Sequence, residues 1–168
     1  LQVDCPDLAM ARHTQYKHLS DPEFIRHAEL HIEVLNHALE RVSSQMDRTI
    51  GVTAQQRLVL RCVGRYPGIT AGQLASVLHL DPGTISASLR RLEERRLVER
   101  RHDPRDRRRV VVGLTANGRE LDQPTGGTVE AAVEKLLVAS SEGDIAVTAG
   151  VLDRLTKILN ESGSLDGS

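Results

Sequence analysis

Arginine is concentrated in one stretch of this chain, where ten lie between Arg90 and Arg109 among five acids. That stretch carries +5, and because the whole chain carries −1, everything else together carries −6. A planar, permanently charged guanidinium pairs with phosphate oxygens and with the guanine edge as a lysine does not. A basic element on an acidic body is the footprint of a local phosphate-binding surface. The densest part is the run His102-Asp103-Pro104-Arg105-Asp106-Arg107-Arg108. Pro and Asp are turn formers, so the arginines of this run belong at a tip.

Other residues invite other chemistry. His27 and His31 are spaced i, i+4, with His37 nearby, a pattern that holds Zn²⁺ when another helix adds a third ligand. Exposed or interface histidines produce the same pattern, so no metal is assigned. Cys62 sits among apolar residues and reads as a small packed hydrophobe; a redox-sensing thiol wants exposure and a positive neighbour. Cys5 and Cys62 make no C-x-x-C pair and no disulfide framework. The chain has no Gly-rich phosphate loop, nucleophile elbow or His-Glu-x-x-His, so it is not expected to be an enzyme and no cofactor is expected.

The elements that must position the arginines can be read in order. Residues 1–20 are expected to form a flexible arm. Ser20-Asp21-Pro22-Glu23 is a helix start. Ile25, Ala28, Ile32, Leu35, Leu39, Val42 and Met46 then follow at alternating steps of three and four, which predicts one long helix to about Arg48. Thr53 caps a helix over about Ala54 to Arg65, with Leu58, Leu60, Cys62 and Val63 inward. Thr70 caps another, over about Ala71 to Leu78. Asp81 and Pro82 open a third, running to about Arg95.

In that third helix Ile85, Leu89 and Leu92 share one face. Gly83, Ala87, Arg90, Arg91 and Glu94 point away from it, and Thr84 and Ser86 flank that exposed side. Leu97 to Arg101 and Arg109 to Leu114 read as strands around the Arg-rich tip, with Gly113 marking a bulge or a close approach. Thr115 opens a helical segment interrupted at Pro124-Thr125-Gly126-Gly127, and Ser141 caps a last helix to about Asn160.

The expected fold is mainly α with a small β-hairpin wing: a winged helix-turn-helix with long N- and C-terminal dimerisation helices. Its parts are an arm (1–20), a dimerisation helix (21–52), a winged lobe (53–115), C-terminal dimerisation helices (116–161) and a tail (162–168). Hydrophobic residues make up 39% of the chain and aromatics 2%, so the core must be aliphatic. No run approaches the roughly 20 apolar residues of a membrane span. The N-terminus shows no signal pattern, the missing initiator Met says only that the start was trimmed or processed, and the sparse cysteines make a reducing, cytoplasmic setting the expectation.

From Leu92 to Gly118 the sequence resembles the MarR family of bacterial transcription regulators. The resemblance rests on Asp103, Asp106, Arg107, Arg108, Leu114, Thr115 and Gly118 at the family's spacing. It implies a homodimer that binds a pseudo-palindromic operator in double-stranded DNA and acts as a ligand-responsive repressor. It also implies that Asp106 orients Arg108 for the minor groove while Arg105 and Arg107 meet phosphates. Many relatives take small anionic or aromatic effectors, for which Arg41, Arg57 and Arg61 are the candidates.

Two departures stand out. Thr84-Ile85-Ser86-Ala87 replaces a common Thr-Val-Thr-Arg, leaving base readout to Thr84, Ser86, Ser88 and Arg90. Arg96 stands where relatives often have Gly, and must either take a C-cap geometry that Gly takes more easily or end the helix differently. The alternative reading is a winged-helix protein-protein interaction module without specific DNA binding.

Overall fold

The computed structural model describes residues 22–162. They divide into two units, one ending at Arg41 and the other beginning at Val42. The arm expected over 1–20, Cys5 and residues 163–168 lie outside the described residues.

The first unit is the N-terminal part of helix α1 (Pro22–Ile50). Its heptad stripe is present, and Ile25, Ile32, Leu35 and Leu39 are all exposed on it. The end of α1 belongs to the second unit, where Met46 is buried.

The second unit continues with α2 (Ala54–Arg65), α3 (Ala71–Leu78), α4 (Pro82–Glu94), β1 (Val98–His102) and β2 (Val110–Leu114). The short α5 (Ala116–Leu121) follows, then α6 (Val129–Ala139) and α7 (Glu142–Ser162). Each helix of the lobe starts on the cap its sequence supplies. Thr53 and Gln56, and Thr70 and Gln73, form reciprocal capping boxes that satisfy orphan amides. Asp81 accepts from the Gly83 and Thr84 amides, and Thr115 from that of Gly118.

Helices α3 and α4 meet through a Schellman turn: His79 is left-handed (φ 51°) and the Leu80 amide donates to Ala75 O. Helix α4 ends at Glu94 with Arg95 as the cap, as expected. Val52, Leu60, Leu74, Ile85, Leu89 and Leu92 form the centre of an aliphatic core, closed by Val98 and Val112 of the hairpin.

Several expectations need correction. Leu58 is 51% exposed, because Val59, Leu60 and Val63 define the buried face of α2 and residue 58 turns away from it. Gly113 marks no bulge: it pairs in register with Glu99, and a Cβ there would meet nothing within 4 Å. The break expected at Pro124-Thr125-Gly126-Gly127, by contrast, is present and separates α5 from α6. Ser162 still belongs to α7, so the expected tail cannot begin there.

Neither α6 nor α7 has a buried residue. Leu136, Val138, Val147, Ile158 and Leu159 are exposed on them, Val138 at 85%. No helix among the described residues is long and apolar enough to cross a membrane.

Candidate nucleic-acid interface

Helix α4 offers a solvent face built by exclusion. Ile85, Leu89 and Leu92 fix its buried side, leaving Ser86, Ala87, Arg90 and Arg91 exposed and Thr84 half-buried at the N-terminal end. Ser88 does not belong to this face. It is 7% exposed and lies in the same helical sector as Ile85 and Leu92, so it is withdrawn from the expected contact set. Arg90 stands 4.0 Å from Glu94 one turn on, while no carboxylate lies within 4 Å of Arg91 among the described residues.

The hairpin carries the second half of the site. Its five pairs run without interruption from Val98↔Leu114 to His102↔Val110. At the tip the two aspartates serve as turn anchors. Asp103 accepts from the Arg105 amide at 2.9 Å, and Asp106 from the Arg108 amide at 3.0 Å. Asp106 therefore orients Arg108 through its backbone, which fixes where the side chain leaves the tip. The Asp103 amide donates to Arg109 O and the Arg109 amide to Asp106 O, closing the loop. The His102 ring meets Arg107 O at 2.9 Å.

The structure sorts the ten arginines. Arg90, Arg95, Arg100, Arg101 and Arg109 face Glu94, Asp47, Glu93, Glu99 and Asp103 respectively. Arg91, Arg96, Arg105, Arg107 and Arg108 have no carboxylate within 4 Å among the described residues. Three of those five crowd the tip, so the charge that sequence spread over twenty positions is concentrated at one end of the wing.

Two contacts that sequence reasoning missed brace the wing against the helices. The Val112 amide donates to Ile69 O at 2.8 Å, a third-strand bond beside the hairpin. Arg109 donates to the Gln73 side chain at 3.0 Å and to Gly68 O at 3.4 Å. Gln73 is also the capping-box residue of α3, and its T-x-x-Q signature was readable. Arg109, 36 residues away, carried no local signal.

The expected effector arginines divide. Arg57 is fully buried, with its guanidinium hydrogen-bonded to Glu130 and to the carbonyls of Leu121 and Gln123. It is withdrawn as an effector ligand, because it is buried and its Nε, Nη1 and Nη2 each already donate to a protein oxygen. Arg61 is half-exposed and donates to Asp122 O, and Arg41 is exposed. His27, His31 and His37 stand on α1. The Nδ1 atoms of His27 and His31 face the carbonyls of Glu23 and His27. No group of three or more metal-ligating side chains occurs among the described residues. Cys62 is buried, and burial pushes its thiol up, away from the reactive thiolate.

Comparison with known proteins supplies a context for this geometry. The model of the MarR family matches residues 52–110. The transcriptional regulator HosA of Escherichia coli O111:H- is 39% identical over 70 residues, covering 42% of this chain and 52% of HosA. The chain spans about half the length of the curated relatives it matches. Among solved structures, Streptococcus pneumoniae FabT in complex with DNA is similar at a TM-score of 0.62 and 27% identity, covering 82% of this chain and 98% of FabT. A MarR/EmrR family regulator from Acinetobacter sp. ADP1 shares the fold at a TM-score of 0.66 and 20% identity, covering 81% of this chain and 96% of its own. A capped helix-turn-helix and an Asp-anchored arginine wing in continuous register lie in and just beyond residues 52–110, the part of this chain that is similar to the MarR family.

Proposed function

We propose that this protein is a sequence-specific, DNA-binding transcription regulator, a cytoplasmic homodimeric repressor with no catalytic step. The reading is carried by one observation: Arg105, Arg107 and Arg108, with no carboxylate within 4 Å among the described residues, stand at the tip of a thin, braced hairpin whose β1 packs against α4. An arginine on such a tip suits a narrow, negative minor groove, while the N-terminal half of α4 suits base edges in the major groove. Thr84, Ser86 and Arg90 are the proposed base readers, with Arg91, Arg105 and Arg107 on phosphates and Arg108 in the minor groove.

Two lobes related by a two-fold axis would read a pseudo-palindrome with half-sites about one helical turn apart. The exposed apolar surfaces of α6 and α7, and of α1, are proposed to be covered by a second copy. A small anionic or aromatic effector belongs to the same reading, with Arg41 and Arg61 as its candidate cations.

A gel-shift titration over a salt series tests the proposal. One duplex selected from a random pool should bind well above competitor DNA. Arg108→Ala should reduce the salt slope by about two, because each of the two protomers releases about one fewer counterion. Arg101→Ala, whose partner is Glu99, should leave the slope nearly unchanged. A chain that prefers no duplex at low salt is not a specific regulator, and the wing then belongs to a protein-binding module.

A further inference from the structure

Arg57 is the only charged residue among the described ones that is buried. Burying a charge is costly unless its hydrogen-bonding groups are met, and here they are. Nη1 donates to Leu121 O at 2.5 Å, Nη2 to Gln123 O at 2.9 Å, and Nε to the Glu130 carboxylate. One turn further along α2, Arg61 donates to Asp122 O at 2.9 Å and lies 3.8 Å from its carboxylate. At Gly64, the next position on that face, an added Cβ would sit 2.3 Å from the Asp122 carboxylate. Positions 57, 61 and 64 thus form one face of α2 shaped to receive the segment 121–130.

The segment so held contains Pro124, Gly126 and Gly127, the last at φ 75°. It leads into α6, which has no buried residue of its own to fix it. An apolar contact would hold α6 with angular slack. A planar fork with three acceptors on two sides of a turn holds it in one orientation.

We infer that the Arg57–Glu130 clamp is a specificity-determining element. By fixing α6 on the winged lobe it sets the separation and rotation of the two α4 helices in the dimer, and so the half-site spacing the protein accepts. Adding one base pair between half-sites moves the second by roughly 3.4 Å and turns it by roughly 35°, so a lobe free to pivot on α6 would tolerate spacings that a clamped lobe rejects. Arg57 and Glu130 are positioning residues in this scheme and touch no DNA. The inference rests on the dimeric DNA-binding reading.

The test compares the full chain with Glu130→Gln and Arg57→Met. Glu130 is at the surface edge of the clamp, so its variant keeps the test alive if Arg57→Met does not fold. Spin labels at Ser86→Cys in α4 and Lys135→Cys in α6, in a Cys5→Ser background and diluted with unlabelled protein, report the lobe-to-α6 distance within one chain. A single narrow distribution is expected for the otherwise unaltered chain, and a clearly broadened one for either clamp variant. The duplex selected by the wild-type chain is then remade with one base pair removed, or with one or two added.

The wild-type preference for a single spacing, expected at about tenfold or more, should fall several-fold in Glu130→Gln while affinity for an isolated half-site stays the same. Narrow distributions in both variants overturn the clamp. A broadened distribution with the spacing preference intact overturns its role in specificity. A wild-type chain that selects no duplex overturns the DNA-binding reading and the spacing claim with it, while the distance measurement still decides whether the clamp holds α6.

Discussion

Arg96 sits at φ 55°, in the left-handed region that favours glycine. Its amide donates to Glu93 O at 2.8 Å and the Leu97 amide to Leu92 O at 2.9 Å, the two bonds of a Schellman motif. The sequence flagged the missing glycine and left open whether the helix would keep this C-cap or end differently. The structure shows that the chain adopts the motif regardless, with the Cβ strain uncorrected. Arg96→Gly should therefore raise stability by about 0.5–1 kcal/mol, the relief of that strain less the entropy a glycine adds to the unfolded chain. Urea unfolding at constant slope would register it as a higher midpoint; a lower midpoint would show that the Arg96 side chain holds something worth more than the strain. Gly118 is the opposite case. A Cβ there would lie 1.9 Å from Leu97 O, so glycine is required for close approach rather than for its dihedral freedom. The family motif supplied the residue; only the packing supplied the reason.

At the scale of elements, the clamp brings two carboxylates together with opposite responses to acid. Burial pushes Glu130 up, but the hydrogen bond and charge of Arg57 outweigh it, so the group lies below the usual glutamate range. Burial raises Asp122, only partly opposed by Arg61 and Arg57 and reinforced by Glu130. A depressed carboxylate contributes stability that is present above its unfolded value and lost as pH falls through its folded value. A raised one does the reverse, favouring the folded state as it gains its proton. Glu130→Gln should accordingly flatten the loss of urea midpoint on acidification below the usual glutamate range, and Asp122→Asn should steepen the loss earlier, as pH falls towards the usual aspartate range. Parallel midpoint–pH curves for all three proteins would mean that the clamp is not linked to folding.

Helix starts were legible because caps act locally: Thr53, Thr70, Asp81 and Thr115 each bind amides two or three residues on. The clamp and the wing brace were not, because Arg57 and Arg109 find their partners across 64 to 73 and 36 residues. A hint did exist in α2, where Arg57 falls on the face that Leu60 and Val63 bury. A charge on an apolar face asks for a buried partner before it suggests a ligand. Ser88 carried the same lesson in reverse, since a small polar residue gives little sign of which way it turns.

For the whole molecule, the decisive asymmetry is between the lobe and the C-terminal helices. The lobe closes its own core, whereas α6 and α7 leave Leu136, Val138, Val147, Ile158 and Leu159 in water. If a second copy covers them, Leu136→Glu should turn a dimer into a monomer by sedimentation, with Arg57 and the lobe unaffected. A variant with unchanged mass in solution would place the partner surface elsewhere. Dimerisation also makes thermal stability depend on concentration, since whatever binds only the folded chain stabilises it by mass action.

Those exposed helices have a consequence for gene dosage. If the pair is the species that binds, then where most chains are single its amount rises as the square of the amount synthesised, so doubling expression gives roughly four times as much of it. A cell making this chain at low level would then have a response threshold set by how soon each newly made copy meets another.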